Sequence, residues 1–113
     1  MAQPLGDSAF WILTVLAGER RHGYAIVREV EEASDGAMRL KATTLYSVLD
    51  RLAADGLVAS DGDEVVEGRT RRYFRLTSTG ASRLQQETEL LDAKANAART
   101  VLARLRPAAE GLA

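Results

Sequence analysis

Apolar positions recur along the chain at helical spacing in four places and alternate in one. After Asp7 or Ser8, either of which is suited to capping a first turn, Phe10, Ile12, Leu13, Leu16 and Ala17 form a broad apolar face that Gly18 stops. A polar turn, Glu19 to His22, leads to a second helix from about Tyr24 to Ala33, with Ile26, Val27 and Val30 inward, closed by Ser34-Asp35-Gly36. Met38-Arg39-Leu40 is too short for more than an edge strand. A third helix, about Thr43 to Ala54, carries the stripe Leu45, Val48, Leu49 and Leu52 and ends before Gly56.

The pattern then changes period. Leu57 to Ser60 and Arg71 to Leu76 read as two strands of a hairpin. In the second, Arg72, Phe74 and Leu76 share one face, and Arg71, Tyr73 and Arg75 the other. A long acidic loop, Asp61 to Gly68, is expected between them. Thr77 caps a last helix running from Ser78 to about Arg106 and halted by Pro107. Its seam is Leu84, Thr88, Leu91, Ala95, Ala98, Leu102 and Leu105, in alternating steps of four and three, the spacing of a coiled coil. Such a helix is roughly 43 Å long, more than a domain of this size can cover. A second copy of the chain is the expected cover.

The order of helix, helix, helix, hairpin and long helix is that of a winged helix-turn-helix with a dimerisation arm. The fold class expected is mainly α with a two-stranded wing (α+β). The expected organisation is a winged-helix domain over residues 1–77, a dimerisation helix over 78–106 and a flexible tail over 107–113. A length of 113 residues suits one core. With 46% hydrophobic and 27% charged residues, the chain is globular in composition. The absence of cysteine removes disulfides and thiolate metal sites. No apolar run is long enough to span a bilayer, and the first residues lack the basic start of a secretory signal, so a cytoplasmic protein with no membrane contact is expected.

A net charge of −1 does not by itself favour nucleic acid. The distribution does. Between Gly68 and Arg83 stand Arg69, Arg71, Arg72, Arg75 and Arg83 with no acid, and none occurs between Asp35 and Asp50. In the third helix, Thr43, Thr44, Tyr46 and Ser47, preceded by Arg39 and Lys41, offer hydroxyls and cations to a major groove. The plainer alternative is that the hydroxyls cap the helix while Tyr46 packs in the core. Arg69, Arg71 and Arg72 on the wing suit phosphates or a minor groove, and Tyr24 suits a phosphate beside the preceding helix. The acids Asp61, Asp63, Glu64 and Glu67 must face away from DNA or temper binding. Phe10 and Trp11 are core residues or part of a cavity for a planar hydrophobic effector.

Catalysis finds no support. His22 is the only histidine and adjoins no nucleophile motif, no phosphate-binding glycine loop is present, and neither a metal site nor a cofactor is implied. A winged helix that binds protein rather than DNA, and a ligand sensor with another output, remain open as alternatives.

Three segments also carry a resemblance. They are His22-Gly23-Tyr24-Ala25-Ile26; Thr44 to Leu52 running into Asp55-Gly56-Leu57-Val58; and Gly68 to Thr77 with Gly80. Together they resemble the PadR family of bacterial transcriptional regulators, in particular its compact branch with a single C-terminal helix. The resemblance implies double-stranded DNA as partner, a homodimer paired through the last helix, and repression at a palindromic operator relieved by a small molecule. It places Thr44, Tyr46 and Ser47 on the recognition helix, Tyr24 on the helix before it and Arg69 to Arg72 on the wing. Two positions depart from it. Ala42-Thr43 stands where the family usually has Pro-Gly, and the last helix lacks the tryptophan with which some compact members hold planar drugs.

Overall fold

The computed structural model describes residues 4–105. Its elements follow in the order α1 (Asp7–Gly18), β1 (Arg21–His22), α2 (Gly23–Ala33), α3 (Ala42–Ala54), β2 (Val58–Val66), β3 (Arg69–Leu76) and α4 (Ser78–Arg104). The expected stop at Pro107 and the tail lie outside the described residues.

The first three helices enclose one core because each carries an apolar stripe at helical spacing. Ile12, Leu13 and Leu16 of α1, Ile26 and Val30 of α2, and Leu45, Leu49 and Leu52 of α3 meet Leu57, Val58 and Phe74 from the wing's base. Each such side chain contributes about 1.5–3 kcal/mol on burial. Leu40 plugs the α2–α3 connection, but Met38-Arg39-Leu40 forms no strand; the Met38 N–H is instead satisfied by the Ser34 hydroxyl at 2.9 Å. The N-cap of α1 is Gly6, with no side-chain bond, rather than Asp7 or Ser8; Asp7 lies in the first turn, where its charge still favours the helix.

The wing differs from expectation in two ways. It belongs to a three-stranded antiparallel sheet, order β1-β3-β2, because the two-residue β1 pairs Arg21 with Phe74 and His22 with Tyr73. Furthermore, residues 61–68 are not a loop. Gly62, at φ +85°, accommodates a bulge between the pairs Ser60↔Phe74 and Asp63↔Arg72, and pairing then continues to Val66↔Arg69. The turn is Glu67-Gly68 alone, with φ of 52° and 76°, the two positive values of a type I′ hairpin.

The Thr77 hydroxyl accepts from the Gly80 N–H at 2.9 Å and starts α4. Gly80 is pressed against the Leu57 carbonyl, so no side chain fits there. From this seat α4 departs along α1. Glu87 and Leu84 still touch the body, but beyond Glu87 only Ala95 is even half-buried among the described residues. A compact chain of this length would have a radius of gyration near ~13 Å; here it is 18.0 Å, because α4 projects outward.

Candidate nucleic-acid interface

The start of α3 is built for exposure. Its N-cap is Lys41, without a side-chain capping bond, and no acid lies in its first turn. Lys41, Thr43, Thr44 and Ser47 are all exposed, so the hydroxyls are not consumed in capping. Nor does Tyr46 enter the core; it is 46% exposed. Its hydroxyl rests against Gly23, where a Cβ would overlap it and would also come within 3.4 Å of Leu45. The missing side chain at 23 therefore sets how closely α3 approaches α2.

Tyr24, one residue on, is 71% exposed, and the Arg28 guanidinium lies 5.7 Å from its ring centroid. Arg28 escaped the sequence reading, although its i, i+4 relation to Tyr24 places the two on one helix face. Just before Tyr24, His22 is the N-cap of α2, its Nδ1 accepting the Ala25 N–H at 3.3 Å. Desolvation holds the His22 pKa below its ordinary value, helped by Arg71 and Arg28 and opposed by Glu64.

Wing and helices converge on one open cleft of about 450 Å³, lined by His22, Gly23, Tyr24, Tyr46 and Arg69 to Arg72. Five of the expected contact residues, Tyr24, Tyr46, Arg69, Arg71 and Arg72, thus share a surface; Lys41, Thr43, Thr44 and Ser47 do not line it. Thr70, expected on the wing between the arginines but not named as a contact, also lines it. No ion pair occupies Lys41, Arg69, Arg71 or Arg72 among the described residues.

Two of the wing acids stand beside wing arginines. Asp63 stands directly across from Arg72 and Glu64 from Arg71, and directly paired residues project from the same sheet face. Their charges offset part of the positive charge of the wing, and neither acid lines the cleft. An exposed, fork-shaped cationic wing beside a hydroxyl-rich helix start is an arrangement that fits a polyanion.

Residues 12–86 match the transcriptional regulator PadR-like family. The chain belongs to that family. Among relatives of this PadR-family regulator, the transcriptional regulator Rv3488 of Mycobacterium tuberculosis is 37% identical over 81 residues, 72% of each chain. A PadR family transcription regulator from Clostridium difficile matches its fold with a TM-score of 0.72 at 26% identity, covering 86% of this chain and 99% of that one. Bacillus subtilis PadR, solved in complex with operator DNA, shares the fold at a TM-score of 0.61 and 20% identity, covering 69% of this chain and 44% of that chain. No helix among the described residues is long and apolar enough to cross a membrane.

The dimerisation residues expected on α4 remain uncovered in the single chain. Leu84 is half-buried against the core, whereas Leu91, Leu102 and Leu105 are 43%, 62% and 53% exposed. Ala98 is exposed and Ala95 half-buried. Phe10 and Trp11 are both half-buried on α1 and meet edge to face, ring centroids 5.6 Å apart.

Proposed function

We propose that this regulator is a homodimeric repressor that binds a palindromic operator, with α3 in the major groove and the wing arginines on the flanking backbone. The observation that carries the reading is the shared cleft: Tyr24 and Tyr46 from the helix-turn-helix open onto the same surface as Arg69, Arg71 and Arg72. A contact made by both elements at once fits a duplex, because groove and backbone are presented side by side. Bacillus subtilis PadR, which shares the fold, was solved in complex with operator DNA, and this supports DNA as the partner.

Dimer formation is inferred from α4. At about 100° per residue, Gly80, Leu84 and Glu87, which touch the body, lie on the same side of the helix as Leu90, Leu91, Ala98, Val101, Leu102 and Leu105. That stripe begins packed and continues bare: Leu90 and Val101 are 49% and 54% exposed. A symmetric partner laying its own stripe there covers both. A small planar effector is proposed to act beside Phe10 and Trp11, since α1 is the helix on which α4 packs. Trp11 is the sole tryptophan, so its fluorescence reports occupancy directly.

Binding of the native chain to a duplex from its own upstream region, followed by anisotropy across a salt series, tests the proposal. Sequence-preferring binding that weakens steeply with salt is expected. Replacing Arg71 and Arg72 by Ala should flatten that slope, by about 0.9 for each phosphate that is no longer neutralised. A slope unchanged by the double substitution would remove the wing from the interface and favour a protein partner instead.

A further inference from the structure

Carboxylates on a DNA-facing wing repel phosphate, yet this wing holds several. The structure gives one of them a separate occupation. Glu64 accepts a hydrogen bond from the Tyr73 hydroxyl at 3.1 Å. The Tyr73 ring is itself clamped. The Arg20 guanidinium lies 4.0 Å from its centroid, and His22 meets it edge-on at 5.4 Å and 89°. Arg20 in turn donates to the Asp61 carbonyl at 3.1 Å and pairs with its carboxylate at 4.0 Å. Asp61 opens the bulge at Gly62, the point where the hairpin leaves the body.

This cluster matters because apolar packing does not aim the outer wing. From Asp63 to Arg72 only Val66 is even half-buried. A hairpin without a buried face is held by its ladder and by whatever polar contacts reach its base.

We infer that Glu64, through its bond to Tyr73, is a positioning residue for operator recognition, fixing the direction in which the outer wing carries Arg69, Arg71 and Arg72. The inference rests on the DNA reading. Glu64 acts in two opposed ways, weakening phosphate attraction by its charge and sharpening it by fixing the arginines.

Two substitutions separate these effects, because they remove the same charge. In Glu64→Gln the amide oxygen still accepts the Tyr73 hydroxyl; in Glu64→Ala nothing does. The probes are the best-bound duplex recovered by the native chain from a random-sequence pool, and a scrambled duplex of equal length. On scrambled DNA both variants should bind alike and somewhat tighter than the native chain. On the selected duplex Glu64→Ala should bind about three- to tenfold more weakly than Glu64→Gln, the equivalent of one hydrogen bond. In a Tyr73→Phe background, which keeps the ring and its Arg20 contact, that difference should vanish. Thermal melting of each variant accompanies the binding, since a merely structural role would lower Tm without changing the ratio of selected to scrambled binding. Equal binding of the two variants to the selected duplex overturns the positioning role while leaving the DNA reading intact. Absence of any selected duplex for the native chain overturns both.

Discussion

Thr77 joins three parts of the molecule, and replacing it by Ala should destabilise the fold by an amount that its bonds determine. Its hydroxyl oxygen accepts from the Gly80 N–H at 2.9 Å, the only side-chain cap on α4. The same hydroxyl donates to the Gly56 carbonyl at 2.7 Å, the residue that ends α3 in a left-handed conformation. Loss of the cap costs about 1 kcal/mol. Loss of the Gly56 bond adds about 0.5–1 kcal/mol, at the lower end of the usual range, because Gly56 is exposed and water replaces the donor. The sum, about 1.5–2 kcal/mol, corresponds to a fall in Tm of roughly 5–10 °C for a chain of this length. Urea and thermal unfolding followed by circular dichroism would measure it, at one fixed protein concentration because the proposed dimer would couple stability to concentration. Thr77→Ser keeps both bonds and should stay within about 0.5 kcal/mol of the native chain. The reasoning is refuted if Thr77→Ala is equally mild, or if the serine variant is as unstable as the alanine one.

Three further outcomes follow from particular residues. Glu67→Asn should raise stability by about 0.5–1 kcal/mol in the same melts, because Asn tolerates the positive φ of 52° that Glu67 is forced to adopt; an unchanged or lowered Tm would argue against the type I′ turn. The native form of His22 holds its proton less tightly than the usual 6.5, so the unfolded chain binds more protons in that window and stability should fall as pH drops below about 6.5. His22→Asn keeps a capping acceptor and should lose that part of the pH dependence; identical profiles for both proteins between about pH 7 and 5 would exclude His22 as its source. Leu102→Glu should weaken self-association at least about a hundredfold, since each of two symmetric leucines contributes about 1.5–3 kcal/mol on burial, and sedimentation velocity at micromolar concentration should then show a monomer. A mass identical to that of the native chain would place the interface elsewhere.

The helices were legible because burial imposes a period on the sequence. Ile12 with Leu13 and Leu16, Ile26 with Val30, and Leu45 with Leu49 and Leu52 fall where a core-facing stripe must, and Gly56 and Thr77 mark an end and a start by backbone chemistry alone. The outer wing was not legible for the complementary reason. Asp63 to Val66 has no core to face, so it carries no alternation, and its acids and glycines look like a loop. Gly62 and Gly68 do signal irregular backbone, but one is a bulge and the other half of a tight turn, and only the pairing register distinguishes these. β1, at two residues, is below the length at which any period can be read. In the site, Tyr24 and Tyr46 were legible from position along the helices and line the cleft, whereas Thr44 and Ser47 are exposed outside it. The pairing of Asp63 with Arg72 and of Glu64 with Arg71 was not legible, since it depends on the bulge. Arg28 and Arg20 were missed because their roles come from rings, Tyr24 and Tyr73, that the fold brings within reach.

Selection of bound duplexes from a random-sequence pool, using the native chain, tests the central claim most directly. A two-fold dimer with one recognition helix per protomer predicts an enriched palindrome whose half-sites are about one helical turn, ~34 Å, apart. Enrichment of a single unrepeated half-site would contradict the dimeric arrangement, and a pool that remains random would contradict operator recognition itself.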